Sequence, residues 1–186
     1  MERSKLIVIE GPQGVGKTNL AGYLRENIKS SNLYRLSGIP DKTPTGLKRN
    51  KDMYEGLLSY LKSLENTGMN LIFDRMFFTE KVYASLGFKE YSFDEVYNEL
   101  LEEFLKLNFD IYYIALYLQD TELYIERLKR DKAEYVKFDM ENSVKQQEEY
   151  LRVADDLEKE NIKVIKVPMD DFKTGYDQIN NILDIK

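Results

Sequence analysis

The chain has 186 residues, of which 42% are hydrophobic and 32% charged, and its formal net charge is −6. It contains no cysteine and no histidine, which excludes disulfide bonds, cysteine nucleophiles, histidine general bases and zinc sites built from these residues. The acidic charge argues against binding to polymeric nucleic acid, and the apolar runs are too short for a signal peptide or a membrane span. We therefore expect a cytoplasmic protein with no membrane partner, folded as a single domain over residues 1–186.

The first two predicted elements flank a glycine-rich loop. An apolar strand at residues 5–10 and a helix at residues 16–29 enclose GPQGVGKT, which fits the pattern G-x-x-x-x-G-K-[ST]. In this pattern backbone N–H groups at a helix N-terminus cradle phosphates, the lysine reaches the β- and γ-phosphates, and the threonine hydroxyl binds Mg²⁺. The alternative is a chance match in an ordinary glycine turn. The predicted strand before the motif and the predicted helix after it argue against this alternative. The predicted nucleotide-binding residues are Gly11, Gln13, Gly14, Val15, Gly16, Lys17 and Thr18.

The rest of the chain alternates short apolar runs with segments of helical period. Further strands are predicted at residues 32–36, 70–74, 111–118 and 163–167, and a loop at residues 37–49. Further helices are predicted at residues 53–64, 77–86, from Ser92 to about 105, from Asp120 or Thr121 to about 130, at 139–160, and near the end with Thr174 as its cap. This alternation predicts an α/β fold with three layers, α/β/α, around a five-stranded parallel sheet. Together with the glycine-rich motif it predicts a P-loop NTPase. Its ligand site should lie at the carboxyl ends of the strands.

An acid–base pair follows the third predicted strand. Asp74 and Arg75 come directly after the apolar residues LIF, which places both at the carboxyl end of that strand. A carboxylate there can bind Mg²⁺, so the predicted metal ligands are Thr18 and Asp74, and an arginine there can bind a second phosphate through two hydrogen bonds. The alternative is a surface ion pair that ends a strand.

A basic segment follows the fourth predicted strand. The sequence ERLKRDK places Arg127 and Arg130 three residues apart, on one face of a helix. Two such arginines can stabilise a transferring phosphoryl group, so we predict that both are catalytic and belong to a lid near residues 127–138. The alternative is a solvated helix face whose charge is balanced by the neighbouring acids.

The residues that would hold a phosphate acceptor are less defined by the sequence. Cations and aromatic side chains occur between Arg35 and Tyr54, and Phe77, Phe78 and Tyr83 follow the Asp74–Arg75 pair. They could line an acceptor pocket, but aromatic side chains more often pack in the core.

The segments IEGPQGVGKT, LIFDR and ERLKRD occur in this order and together resemble the thymidylate kinase and deoxynucleoside kinase branch of the P-loop kinases. The resemblance implies phosphoryl transfer from ATP–Mg²⁺ to a small-molecule nucleotide or nucleoside. It assigns Lys17 and Thr18 to donor phosphate and metal, Asp74 to metal or acceptor, and Arg75 to the acceptor phosphate. It also assigns Arg127 and Arg130 to a lid that closes over ATP.

Two departures from the family pattern bear on the acceptor. After the second strand, the chain has neither the REPGGT-like segment of thymidylate kinases nor the Glu-Pro pair of deoxynucleoside kinases, whose glutamate deprotonates the sugar hydroxyl. Leu36, Ser37 and Gly38 stand there instead, with no carboxylate before Asp41. A hydroxyl acceptor needs a general base, whereas a monophosphate is already an anion.

The sequence therefore favours a deoxynucleoside monophosphate acceptor, as in thymidylate kinases. Two alternatives stay open: a deoxynucleoside kinase, and a nucleotide-binding module with no small-molecule acceptor. The exposed faces of the helices near residues 53–64 and 93–107 could pair two copies as a homodimer, or could pack in the core of one.

Overall fold

The protein is described by a computed structural model that covers residues 3–129 and 139–185. Its sheet has five parallel strands in the order β2-β3-β1-β4-β5, which confirms the predicted three-layer α/β/α arrangement. The strands are β1 (Lys5–Glu10), β2 (Ser31–Arg35), β3 (Asn70–Asp74), β4 (Asp110–Tyr117) and β5 (Lys163–Pro168).

Helices cover both faces of the sheet. They are α1 (Lys17–Asn27), α2 (Pro44–Ser63), α3 (Phe77–Ser85), α4 (Asp94–Leu105), α5 (Leu123–Leu128), α6 (Met140–Leu157) and α7 (Phe172–Leu183). The predicted loop at residues 37–49 is wrong in its second half, because α2 already begins at Pro44. A proline at the first helical position lacks only an N–H group that would have no partner inside the helix, so it starts this helix instead of breaking it.

Three predicted helix caps are also wrong. Phe93, with no side-chain hydrogen bond, occupies the cap of α4 instead of Ser92, and Glu122 occupies that of α5. The final helix is capped by Asp171, whose carboxylate accepts a hydrogen bond from the backbone N–H of Thr174 at 2.9 Å. Serine, threonine and aspartate near a helix start are all capping residues, so the local sequence alone did not select among them.

The core lies on both sides of the sheet because successive side chains of a strand point to opposite faces. Along β1, Leu6 and Val8 belong to one apolar cluster, and Ile7 and Ile9 to the other. The apolar residues of α2 and α4 pack in the first of these clusters, as the core alternative predicted. A homodimer stays a prediction.

The strand order sets the place of the site. From β1 the chain passes to β2 and β3 on one side, and later to β4 and β5 on the other. The carboxyl ends of β1 and β3 are neighbours, with Ile9 in register with Asp74. The loop after β1 and the Asp74–Arg75 pair therefore lie side by side. Among the helices in residues 3–129 and 139–185, none has the length and apolar character needed to cross a membrane.

Candidate active site

The glycine-rich loop leads into α1 through a backbone conformation that glycine favours. Gly16 caps the helix with φ 107°, and a Cβ atom added to it would lie 2.7 Å from the ring of Phe172. Lys17, the first helical residue, is buried, and its Nζ donates a hydrogen bond to the Pro12 carbonyl at 2.7 Å. The lysine ammonium is thus held against the loop that would wrap the phosphates.

The two predicted metal ligands meet. The Thr18 hydroxyl donates a hydrogen bond to Oδ2 of Asp74 at 3.0 Å, and Nε of Arg35 lies 4.0 Å from the same oxygen. Oxygen ligands of this kind suit Mg²⁺, which usually takes one or two protein ligands and completes its shell with phosphate oxygens and water. Residues 3–129 and 139–185 contain no group of three or more acidic side chains that could hold a metal by itself.

Arg75 bridges the glycine-rich loop and α3. Its Nη1 donates a hydrogen bond to the Tyr83 hydroxyl at 2.8 Å, and its Nη2 donates one to Oε1 of Gln13 at 3.1 Å. Its backbone is in the left-handed region, with φ 74°. Gln13, predicted to bind phosphate, therefore also contacts the arginine predicted to bind the acceptor.

A single cleft of about 1290 Å³ joins these groups, enough for two small ligands side by side. It is lined by the glycine-rich loop and Phe172, and also by the apolar side chains of Leu36, Ile39 and Phe88. The cations along its walls are Lys17, Arg35, Lys42, Arg75, Lys89 and Arg127. The cleft thus combines the glycine-rich loop with several positive charges in an acidic protein.

Arg127 lies on the glycine-rich-loop side of the cleft. Its Nη2 donates a hydrogen bond to the Met169 carbonyl at 2.7 Å, and its guanidinium stands 4.6 Å from the centre of the Phe172 ring. The carbonyl of Val15 accepts a longer bond from its Nη1, at 3.4 Å. These contacts fit a wall beside the donor nucleotide. Arg130 and all of the predicted lid beyond residue 129 lie outside the described residues.

The aromatic candidates divide between core and cleft. Phe77 and Phe78 are fully buried and stack on each other, and Tyr54 packs against Phe77. These three side chains belong to the core, as the packing alternative predicted. Tyr83 lines the cleft and orients Arg75.

A buried charge pair that lines the cleft was not singled out from the sequence. Nζ of Lys89 lies 3.3 Å from Oε2 of Glu80, and both side chains are almost fully buried. Nδ2 of Asn50 donates a further bond to Glu80 at 3.3 Å. Burial raises the pKa of Glu80, and the neighbouring Lys89 opposes this shift.

Glu80 also fills the space at the end of β2 where the sequence showed no carboxylate. A Cβ atom added to Gly38, which has φ 70°, would lie 2.2 Å from Oε1 of Glu80. No local sequence signal connects α3 with this loop, because only the packing of α3 brings them together.

Helix α6 contributes a polar side chain to the cleft. Gln146 is 2% exposed and lines the cleft, yet its Oε1 has no hydrogen-bond partner among residues 3–129 and 139–185. The side-chain amide of the adjacent Gln147 binds the backbone of Leu118 instead: its Oε1 accepts a hydrogen bond from the Leu118 N–H, and its Nε2 donates one to the Leu118 carbonyl. A ligand that donates a hydrogen bond to Gln146 would satisfy its oxygen.

Glu10, the last residue of β1, is a fully buried carboxylate. It accepts hydrogen bonds from the backbone N–H of Met76 and from the Thr79 hydroxyl, each at 2.7 Å. Burial raises its pKa to about 7, although these two hydrogen bonds and the nearby Arg75 lower it. The sequence marked this residue only as the end of a strand.

Comparison with known proteins identifies the fold. Over 98% of this chain and 93% of the other, the structure is similar to thymidylate kinase from Candida albicans, with a TM-score of 0.63 and 19% identity. This is the fold of the P-loop nucleotide kinases. Over 96% of this chain and 98% of the other, it is also similar to deoxyadenosine kinase from M. mycoides with bound dATP, with a TM-score of 0.60 and 20% identity.

A second structure of the M. mycoides enzyme, with dCMP and dCDP as products, matches over the same shares of both chains, with a TM-score of 0.55 and 20% identity. No protein-family profile and no curated protein matches the sequence. At this level of identity the likeness establishes the fold, and activity has to be argued from the site.

Proposed function

We propose that the protein transfers the γ-phosphoryl group of ATP–Mg²⁺ to a deoxynucleoside monophosphate. The observation that carries the proposal is the cleft itself, where the Thr18–Asp74 pair and Arg75 line one continuous space. A phosphoryl donor and an anionic acceptor can therefore lie end to end. The similar structures of a thymidylate kinase and a deoxyadenosine kinase support this class of reaction.

Phosphoryl transfer needs positioning and positive charge more than covalent chemistry. Lys17 would stabilise charge on the donor phosphates, and Mg²⁺ held by Thr18 and Asp74 would neutralise the β- and γ-oxygens. Arg75 uses one N–H of each terminal nitrogen for Tyr83 and Gln13. A guanidinium has five N–H donors, so donors are left for the acceptor phosphate, which needs no general base.

The donor base would lie against Arg127 and Phe172. Their side chains are stacked beside the glycine-rich loop, and both line the cleft. A flat cation and an aromatic ring offer a nucleobase a stacking surface. This arrangement supports a nucleoside triphosphate as the donor.

One observation favours a second candidate, a deoxynucleoside kinase. Glu80 supplies a carboxylate at the end of β2, and burial raises its pKa, as a general base requires. However, Lys89 and Asn50 already engage this carboxylate. The monophosphate therefore remains our first choice of acceptor.

The deciding experiment is coupled ADP release from ATP with a panel of deoxynucleosides and deoxynucleoside monophosphates. We expect turnover with a monophosphate, whereas turnover with nucleosides alone would establish the second candidate. Slow hydrolysis that no acceptor changes would mean a nucleotide-binding module and would refute both.

A variant pair tests the acceptor site. Arg75→Ala should reduce turnover of monophosphates by at least about 100-fold, as expected when a charged donor at a phosphate is lost, and should affect any nucleoside turnover much less. Arg152→Ala is the control, because Arg152 is an exposed residue of α6 that pairs with Glu149. An equal loss on both acceptor classes would contradict the assignment of Arg75.

A further inference from the structure

Arg75 is held in a backbone conformation that a residue with a side chain rarely adopts. Its φ is 74°, in the left-handed region where the Cβ atom of an L-residue is crowded. Such a conformation persists only where the surroundings impose it. The constraint on this arginine must therefore come from its neighbours in the fold.

The constraint comes from two consecutive residues of β1. The backbone N–H of Arg75 donates to the Ile9 carbonyl at 3.1 Å, and the next N–H, of Met76, donates to Oε1 of Glu10 at 2.7 Å. The first bond continues the ladder between β1 and β3, and the second uses a side chain. Together they hold the two peptide planes that flank the Arg75 Cα atom.

Fixing both planes sets φ and ψ, and hence the direction in which the Arg75 side chain leaves the backbone. From there its guanidinium reaches Tyr83 and Gln13 and lines the cleft. If the Met76 peptide were released, the strained backbone could relax, and the side chain would leave in another direction. The place of the guanidinium thus depends on a carboxylate that does not line the cleft.

Glu10 is itself fixed on its other side. Its Oε2 accepts a hydrogen bond from the Thr79 hydroxyl at 2.7 Å, and Oγ1 of Thr79 in turn lies 3.0 Å from the Tyr150 hydroxyl of α6. Helix α3 has no side-chain cap of its own at Met76. The carboxylate therefore ties the start of α3 to the strand that precedes the glycine-rich loop.

We propose that Glu10 is a positioning residue for the acceptor, since its carboxylate holds the Met76 peptide and thereby aims Arg75 into the cleft. The inference rests on the proposed role of Arg75 in acceptor binding. A purely structural role for Glu10 would weaken donor and acceptor binding together. A positioning role acts on the acceptor alone, and only while Arg75 is present.

Three substitutions separate these roles. Glu10→Met keeps the length of the side chain and removes the acceptor oxygens, Glu10→Asp keeps the charge but withdraws it by one methylene, and Glu10→Gln keeps an oxygen for the Met76 N–H. Thr79→Val is the matched control, because it removes the other hydrogen bond of the carboxylate and leaves the Met76 bond intact. Circular dichroism verifies that each variant is folded, and Glu10→Asp replaces Glu10→Met if the latter is not.

We expect Glu10→Met and Glu10→Asp to raise the KM for the monophosphate acceptor by about tenfold or more, the range for a lost hydrogen bond to a charged group. The KM for ATP should change by less than about twofold, and Glu10→Gln and Thr79→Val should stay near wild type. In an Arg75→Ala background, Glu10→Met should add nothing further. The same increase in both backgrounds, or an equal rise in the KM for ATP, would overturn the proposal.

A second readout needs no turnover. In ¹H–¹⁵N spectra, the guanidinium resonances of Arg75, held by Tyr83 and Gln13, should shift in Glu10→Met and Glu10→Asp and remain in Glu10→Gln. Unchanged resonances in Glu10→Met would refute positioning. If wild type turned over no acceptor, the proposed function would fail, and these spectra would still decide whether Glu10 aims Arg75.

Discussion

Replacing Glu10 by glutamine should change how the stability of the protein depends on pH. Burial raises the pKa of Glu10 to about 7 in the folded chain, against an ordinary value of 4.5. Between these values the folded protein binds more protons than the unfolded one, so the free energy of unfolding falls as the pH rises. The stabilisation from Glu10 is fully present below the unfolded pKa and is lost as the pH passes the folded pKa.

The size of the effect follows from the two pKa values. One pKa unit corresponds to about 1.4 kcal/mol, so integration from pH of about 5.5 to about 8 gives a loss of about 2 kcal/mol for wild type. Glutamine does not titrate, and its Oε1 can still accept the bond from Met76. Relative to Glu10→Gln, wild type should therefore become less stable by about 2 kcal/mol across this range.

The measurement is urea unfolding followed by far-UV circular dichroism at several pH values, for wild type and Glu10→Gln in the same buffers. Subtracting the two curves removes the titration of all other groups. Glu141→Gln is the control, because the Glu141 side chain is 76% exposed, and its difference curve should be flat within about 0.5 kcal/mol. A flat curve for Glu10→Gln would show that Glu10 stays ionised in the folded protein and would refute the reasoning.

Three further predictions concern the cleft. Lys17→Ala should lower turnover by at least about 100-fold, measured by ADP release, and residual activity near wild type would argue against a phosphate role for the lysine. Asp74→Asn should raise the Mg²⁺ concentration needed for half-maximal activity by about tenfold, measured by magnesium titration, and an unchanged requirement would remove Asp74 from the metal site. Gly38→Ala should raise the acceptor KM and leave that for ATP unchanged, because its Cβ atom would lie 2.2 Å from Oε1 of Glu80. A rise in the KM for ATP as well as in the KM for the acceptor would mean that the loop at Gly38 also affects donor binding.

The sequence predicted those elements of the fold whose apolar residues recur with the period of a strand or a helix. The third strand was predicted at residues 70–74 and is found at Asn70–Asp74, because its apolar run is bounded by polar residues at both ends. The start of α2 and the cap of α7 were wrong, because proline, threonine and aspartate each fit several positions around a helix start. The cap of α4 was wrong because Phe93, which is not a capping residue, occupies it.

The candidate site divides in the same way. Thr18 and Asp74 could be paired in advance, because the loop that leads from β1 to Thr18 and the last residue of β3 lie at carboxyl ends of parallel strands, which share one edge of the sheet. The sequence could not predict three other features of the site. These are the Arg75–Gln13 hydrogen bond, the Glu80 carboxylate next to Gly38, and the position of Gln146 in the cleft. Each depends on where one helix or loop packs against another, and periodicity within a segment does not specify that.

By itself the sequence determined the glycine-rich loop between a strand and a helix, and with it the proposed phosphate site, because all the groups of that motif lie within eight consecutive residues. Only the tertiary structure decided the acceptor end. There α3 brings Glu80 to the end of β2, and Glu10 of β1 holds the peptide next to Arg75. These contacts join segments far apart in the chain, so their geometry arises only when the layers pack together.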